Sequence, residues 1–81
     1  MIVRVRMFAI ARQLAGVDTA NVDLPEAATL AELRTALTTQ FPKFADISPH
    51  VVFAINAEYA NDQATIPEDA DVACIPPVSG G

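Results

Sequence analysis

The sequence is poor in the residues that small proteins use as staples or reagents. In 81 residues it has one cysteine, Cys74, and one histidine, His50. A single thiol closes no internal disulfide, and the pair is too small for a metal site built from several Cys and His ligands. Basic residues are also scarce: four arginines and one lysine face ten acids, for a net charge of −5. Such a chain is repelled by phosphate backbones, so nucleic acid is not expected as a partner. An acidic surface better suits a basic protein partner. No uninterrupted apolar run exceeds the length of Val51 to Ile55, far short of the roughly 20 residues that span a bilayer, so no membrane association is expected. The start, Met-Ile-Val-Arg-Val-Arg, has no basic head followed by an apolar stretch, and a cytoplasmic location is the default expectation.

What is present is a compact, apolar chain of the size of one domain. Apolar residues make up 52%, enough for one core and against disorder. A domain this small buries only roughly 60% of its unfolded surface, which leaves little material for a deep enzyme pocket.

The hydrophobic period switches repeatedly along the chain. Ile2 to Phe8 alternates, with Val3, Val5 and Met7 on one side and Arg4 and Arg6 on the other, which predicts a half-buried strand. Ala9 to Ala15 reads as a short helix, with Ile10 and Leu14 one turn apart, Arg12 pointing away and Gly16 as its stop. Thr19 to Leu24 alternates again and ends at Pro25. Thr29-Leu30-Ala31-Glu32 fits a capping box. It opens a helix whose apolar stripe is Leu30, Leu33, Leu37 and Phe41, stopped by Pro42.

Lys43 to His50 reads as a loop or irregular turn, and Val51 to Ile55 as a buried strand. Asn56-Ala57-Glu58 supplies turn chemistry, and Tyr59-Ala60 a brief further strand. Pro67 to Asp71 is a second polar turn. Val72 to Ile75 is the last strand, closed by Pro76-Pro77, which cannot donate to a sheet ladder. The predicted class is α+β, a sheet packed on one principal helix. Residues 1–77 form the domain and residues 78–81 a flexible tail.

The tail, Val78-Ser79-Gly80-Gly81, is the leading candidate for chemistry. Four extended residues reach about 13 Å, and the stiff Pro76-Pro77 pair aims them away from the sheet. Glycines without Cβ atoms can enter a narrow channel. The carboxyl of Gly81, with an ordinary pKa of roughly 3.3–3.7, is an anion at neutral pH and an acyl donor once activated. The competing reading is a frayed terminus, for which Gly and Ser are common. Cys74, within a strand, reads as a small hydrophobe, His50 as a solvated loop residue, and Glu68, Asp69 and Asp71 as a solvated turn lacking the glycine and spacing of a calcium loop.

The stretch Val72 to Gly81, above all Pro-Pro-Val-Ser-Gly-Gly, resembles the C-terminal signature of the molybdopterin synthase small-subunit family (the MoaD/ThiS sulfur carriers). Phe8 to Gly16 resembles that family's first strand–helix junction, and Ile55-Asn56 with the following strand and acidic turn matches its layout. The resemblance implies a β-grasp, ubiquitin-like fold with a mixed sheet. It implies a sulfur carrier, itself non-catalytic, in molybdenum cofactor biosynthesis. A ubiquitin-activating-enzyme-like adenylyltransferase would adenylate Gly81 with ATP, and the adenylate would become a thiocarboxylate. Gly80 and Gly81 would enter the large subunit of molybdopterin synthase, whose active site passes the sulfur to cyclic pyranopterin monophosphate. Two small subunits would serve two large ones in a heterotetramer, and this chain would bind no cofactor itself.

By position, the resemblance implies partner contacts at Arg12, Tyr59 and Ile75, continuing through Pro76, Pro77, Val78 and Ser79. Positions 74 and 75 are smaller than is usual in the family, and Tyr59 stands where an aliphatic residue is common. The alternatives are a sulfur carrier for another pathway, such as thiamine thiazole formation, and a ubiquitin-like protein modifier.

Overall fold

A computed structural model of the chain describes residues 1–77. The elements run β1 (Ile2–Met7), α1 (Ala9–Ala15), β2 (Thr19–Asp23), α2 (Leu30–Gln40), two 3-10 turns (Pro42–Asp46 and Ser48–His50), β3 (Val52–Ile55), β4 (Glu58–Ala60) and β5 (Val72–Ile75). The five strands form one sheet in the order β2-β1-β5-β3-β4. The central pair, β1 and β5, is parallel, with Val5 opposite Val72 and Met7 opposite Cys74; every other pairing is antiparallel. A mixed sheet with the first and last strands side by side at its centre and one main helix packed on it is a β-grasp, the ubiquitin-like fold.

The alternation in β1 does what a two-residue period requires: Val3, Val5 and Met7 are buried and Arg4 and Arg6 exposed. Ala20 and Val22 of β2, Phe53 of β3, and Val72 and Cys74 of β5 complete the buried face. Helix α2 covers it with Leu30, Leu33 and Leu37, all fully buried. Each such leucine contributes about 1.5–3 kcal/mol relative to exposure.

The start of α2 is fixed by a complete capping box. Thr29 Oγ1 accepts from the Glu32 amide at 3.3 Å, and Glu32 Oε1 accepts from the Thr29 amide at 3.3 Å. This satisfies two donors that the first helical turn leaves without partners. Phe41 is the cap residue one position beyond the helix, before Pro42; half-buried and packed against the same core, it continues the apolar stripe past the last helical residue.

The structure changes four other details. In α1 the core-facing residue is Ala11, whereas Ile10 is 39% exposed. The helix packs closely on β1, β5 and the first 3-10 turn, and at that separation a methyl fits where an isoleucine does not. Lys43 to His50 is not irregular: its two 3-10 turns bury Phe44 completely. The third strand is half-buried rather than buried, since Val52 is 45% exposed. The β3–β4 turn is shorter than expected, with Glu58 already paired to Ile55. Its central residues, Asn56 and Ala57, both have positive φ, 51° and 70°, as a tight hairpin turn of the right twist requires. Gly16, by contrast, stops α1 as expected, at φ 75° with its amide bonded to the Arg12 carbonyl.

Arg34 ties α2 to the rest. Its guanidinium donates to both carboxylate oxygens of Asp62, at 2.7 and 3.2 Å, and to the carbonyls of Ser48 and Val51. It also lies 5.0 Å from the ring centroid of Phe53. A planar fork with five donors suits this four-acceptor site in a way a lysine could not.

Candidate functional site

Among the described residues no helix lies on the outer face of the sheet, and the register determines which side chains share it. Thr19 is paired with Arg6, Arg6 with Ala73, Ala73 with Ala54 and Ala54 with Tyr59. These residues therefore form one row across all five strands. Ile75 is paired with Val52 in the next row. Phe8 follows Met7, which pairs with Cys74, and so stands at the end of β1 beside the end of β5. The result is an apolar strip of Phe8, Ile75, Val52, Ala54 and Tyr59. Tyr59 is 76% exposed, Phe8 41% and Val52 45%.

The strip is bordered by charge. Arg6 makes a bidentate pair with Asp71, at 2.8 and 2.9 Å, and its guanidinium carbon lies 5.5 Å from the Phe8 ring centroid. Asp71 is held from behind by Asn56, whose side chain accepts from the Asp71 amide and whose amide donates to the Asp71 carbonyl. Both members of the ion pair are half exposed, so it orients the arginine more than it stabilises the domain. Of the acidic turn, Asp71 is thus not simply solvated. Among the described residues no cluster of three or more metal-ligating side chains occurs.

The residues that the sequence suggested for partner contact fall into three groups. Tyr59 and Ile75 lie on the apolar strip. Arg12 belongs to α1 and is exposed, with its nearest recorded charge, Asp18, at 3.7 Å. Pro76 is buried and Pro77 exposed, directly after β5. Val78, Ser79, Gly80 and Gly81 lie outside the described residues.

Sequence reasoning missed Phe8, Val52 and Arg6 as members of this surface. The two-residue period carried the signal for Arg6 and Phe8, which share the parity of Arg4. For Val52, only the pairing with Ile75 reveals it.

Cys74 lies on the opposite, buried face. Desolvation pushes its thiol up from 9.0 to about 12, against a smaller lowering by the positive charge of Arg34. It is a packing residue, as its place in a strand suggested.

The model of the ThiS family matches residues 5–81. The chain belongs to the ThiS family. Among curated proteins it is similar to the molybdopterin synthase sulfur carrier subunit of Arabidopsis thaliana, with 35% identity over 79 residues, covering 98% of this chain and 82% of the relative. Among solved structures it is similar to SAMP1, small archaeal modifier protein 1, of Haloferax volcanii, with a TM-score of 0.87, 26% identity and all of both chains covered. A chain in the complex of subunits 1 and 2 of molybdopterin-converting factor from Helicobacter pylori has the same fold, with a TM-score of 0.68 and 21% identity over all of both chains. The resemblance read from the Pro-Pro-Val-Ser-Gly-Gly ending therefore holds along nearly the whole length. In this ThiS-family chain the central strand β5 runs directly into Pro76-Pro77.

Proposed function

We propose that the chain is the sulfur carrier subunit of a molybdopterin synthase and that the carboxyl group of Gly81 is its working group. The observation that carries this reading is the 35% identity to the Arabidopsis sulfur carrier subunit across 98% of the chain, in a sequence that closes on Gly80-Gly81.

A carboxylate is a poor electrophile, because its negative charge repels nucleophiles and oxide is a poor leaving group. Transfer of adenylate from ATP by a ubiquitin-activating-enzyme-like adenylyltransferase supplies the leaving group. Sulfur then replaces the adenylate oxygen, giving a thiocarboxylate, and Gly80 and Gly81 carry it into the large subunit. There the sulfur passes to cyclic pyranopterin monophosphate to build the dithiolene, within an assembly of two small and two large subunits. ATP and the pterin are bound by the partners. The strip of Phe8, Ile75, Val52 and Tyr59 is the surface that meets them, with Arg12 on α1 a separate contact and Pro76 to Ser79 the approach to the reactive end. An apolar patch rimmed by charge is the usual form of a protein-binding face.

The test is to present the chain, ending at Gly81, to a cognate activating enzyme, ATP and a sulfur donor, and to measure intact mass. The expected product is heavier by one oxygen-to-sulfur exchange, and with large subunit and cyclic pyranopterin monophosphate it yields molybdopterin. Failure to yield molybdopterin in an assay that a known sulfur carrier satisfies would overturn the assignment. Deletion of Gly81, or one residue appended after it, is expected to abolish transfer and leave the fold intact.

A second reading, a ubiquitin-like protein modifier, is favoured by the likeness to SAMP1. It shares the adenylation step and differs in the acceptor, an amine instead of a sulfur donor. Lysine conjugates without the sulfur-exchanged species would select it.

A further inference from the structure

An activated acyl group reacts with whichever nucleophile reaches it, so the nucleophiles this chain presents limit what it can become. The sequence has one lysine, Lys43. The amino group of Met1 is committed: it donates to the Leu24 carbonyl at 2.7 Å, lies 3.8 Å from the Asp23 carboxylate, and belongs to a residue whose side chain is almost wholly covered. The one thiol, Cys74, is fully buried. Hydroxyls are weak nucleophiles without an adjacent base, and an acylated imidazole at His50 would hydrolyse.

Lys43 differs from all of these. It is exposed, and no ion pair recorded among the described residues involves it. It sits in the 3-10 turn Pro42–Asp46, anchored by the fully buried Phe44 next to it. Among the described residues it is an exposed amine next to an anchored position.

We propose that Lys43 is the acceptor at which a second copy of this chain is joined through an isopeptide bond. The inference rests on adenylation of Gly81, the step shared by both readings above. A carboxylate oxygen of Gly81 attacks the α-phosphorus of ATP and pyrophosphate leaves. The neutral amine of Lys43 in another copy attacks the acyl carbon, a C–N bond forms, the C–O bond to AMP breaks, and the excess proton on nitrogen goes to solvent. No oxidant or reductant is needed. Because each copy offers one such amine and one tail, the products are unbranched, each link running from Gly81 to Lys43.

The experiment is to incubate the full chain with its activating enzyme and ATP, without sulfur donor, and follow pyrophosphate exchange, intact mass and the linkage by tandem mass spectrometry. The expected product has twice the chain mass less one water, linked at Lys43. Lys43→Arg is expected to remove it completely while exchange stays at the unsubstituted rate. Exchange without the linked species would overturn this proposal alone, as would a linkage at Met1 or persistence of the product in Lys43→Arg. Absence of exchange with an enzyme active on a known carrier would overturn the reading of the tail, and this proposal with it.

Discussion

The buried face of the sheet carries Val3, Val5, Met7, Phe53, Val72 and Cys74 under α2, whereas the outer face carries Phe8, Ile75, Val52 and Tyr59 with no helix over them among the described residues. Both faces come from the same strands, and both bear large apolar side chains. On the buried side those side chains interlock with Leu30, Leu33 and Leu37 and hold the domain together. On the outer side they are only partly covered by folding, Tyr59 least of all, and the remaining exposure has a use only if something else covers them. The contrast separates residues that make the fold from residues that the fold displays.

The largest expected effect comes from breaking the buried face. Leu33→Ala deletes a fully buried side chain and should cost about 2–5 kcal/mol of unfolding free energy in denaturant titration. That is much of the roughly 5–15 kcal/mol a domain has.

The buried face also predicts a pH dependence. The folded Cys74 thiol is raised from 9.0 to about 12. A raised pKa means that the unfolded chain loses its proton first. The contribution of the neutral thiol is complete below pH 9, and stability falls as pH rises from 9 towards 12. Denaturant midpoints measured across that range should decline, and the decline should shrink in Cys74→Ala.

On the outer face the expectation reverses. Tyr59→Ala should leave stability within about 0.5 kcal/mol, yet weaken binding to the proposed large-subunit partner about tenfold, the loss of an aromatic anchor worth about 1.4 kcal/mol. Equal binding by calorimetry would remove Tyr59 from the interface.

Thr29→Ala sharpens the contrast from the helix side. It removes the cap of the element that covers one face and should cost about 1 kcal/mol, with no change in partner affinity. The smallest effect is a gain: Ala57→Gly relieves a φ of 70° and should raise stability by a few tenths to about 1 kcal/mol, seen as a small rise in melting temperature.

The fold was legible where a single physical rule governs a stretch of chain. Alternation placed Val3, Val5 and Met7 inside, and Thr29 with Glu32 marked the first turn of α2. Reading failed where the decision depended on a neighbour distant in sequence. Ile10 and Leu14 have helical spacing, yet the space beside β1 and β5 admits Ala11. Phe44 looked like part of a loop because its burial depends on how the 3-10 turn meets α1 and α2. Tyr59 and Ile75 could be named singly from the sequence, but that they share a face with Phe8 and Val52 could not, because strand register decides it; the tail lies outside the described residues.

By itself the sequence determined the periodicities, the caps and stops, the single lysine and the Gly80-Gly81 ending, because each is a property of neighbouring residues or of composition. Tertiary structure decided that β1 and β5 lie side by side, that Arg34 finds Asp62 and two carbonyls, and that the described helices leave one face of the sheet free. Those outcomes depend on strand order and register, which set Val5 beside Val72 and pair Arg6 with Asp71, 65 positions on, and no local pattern encodes them.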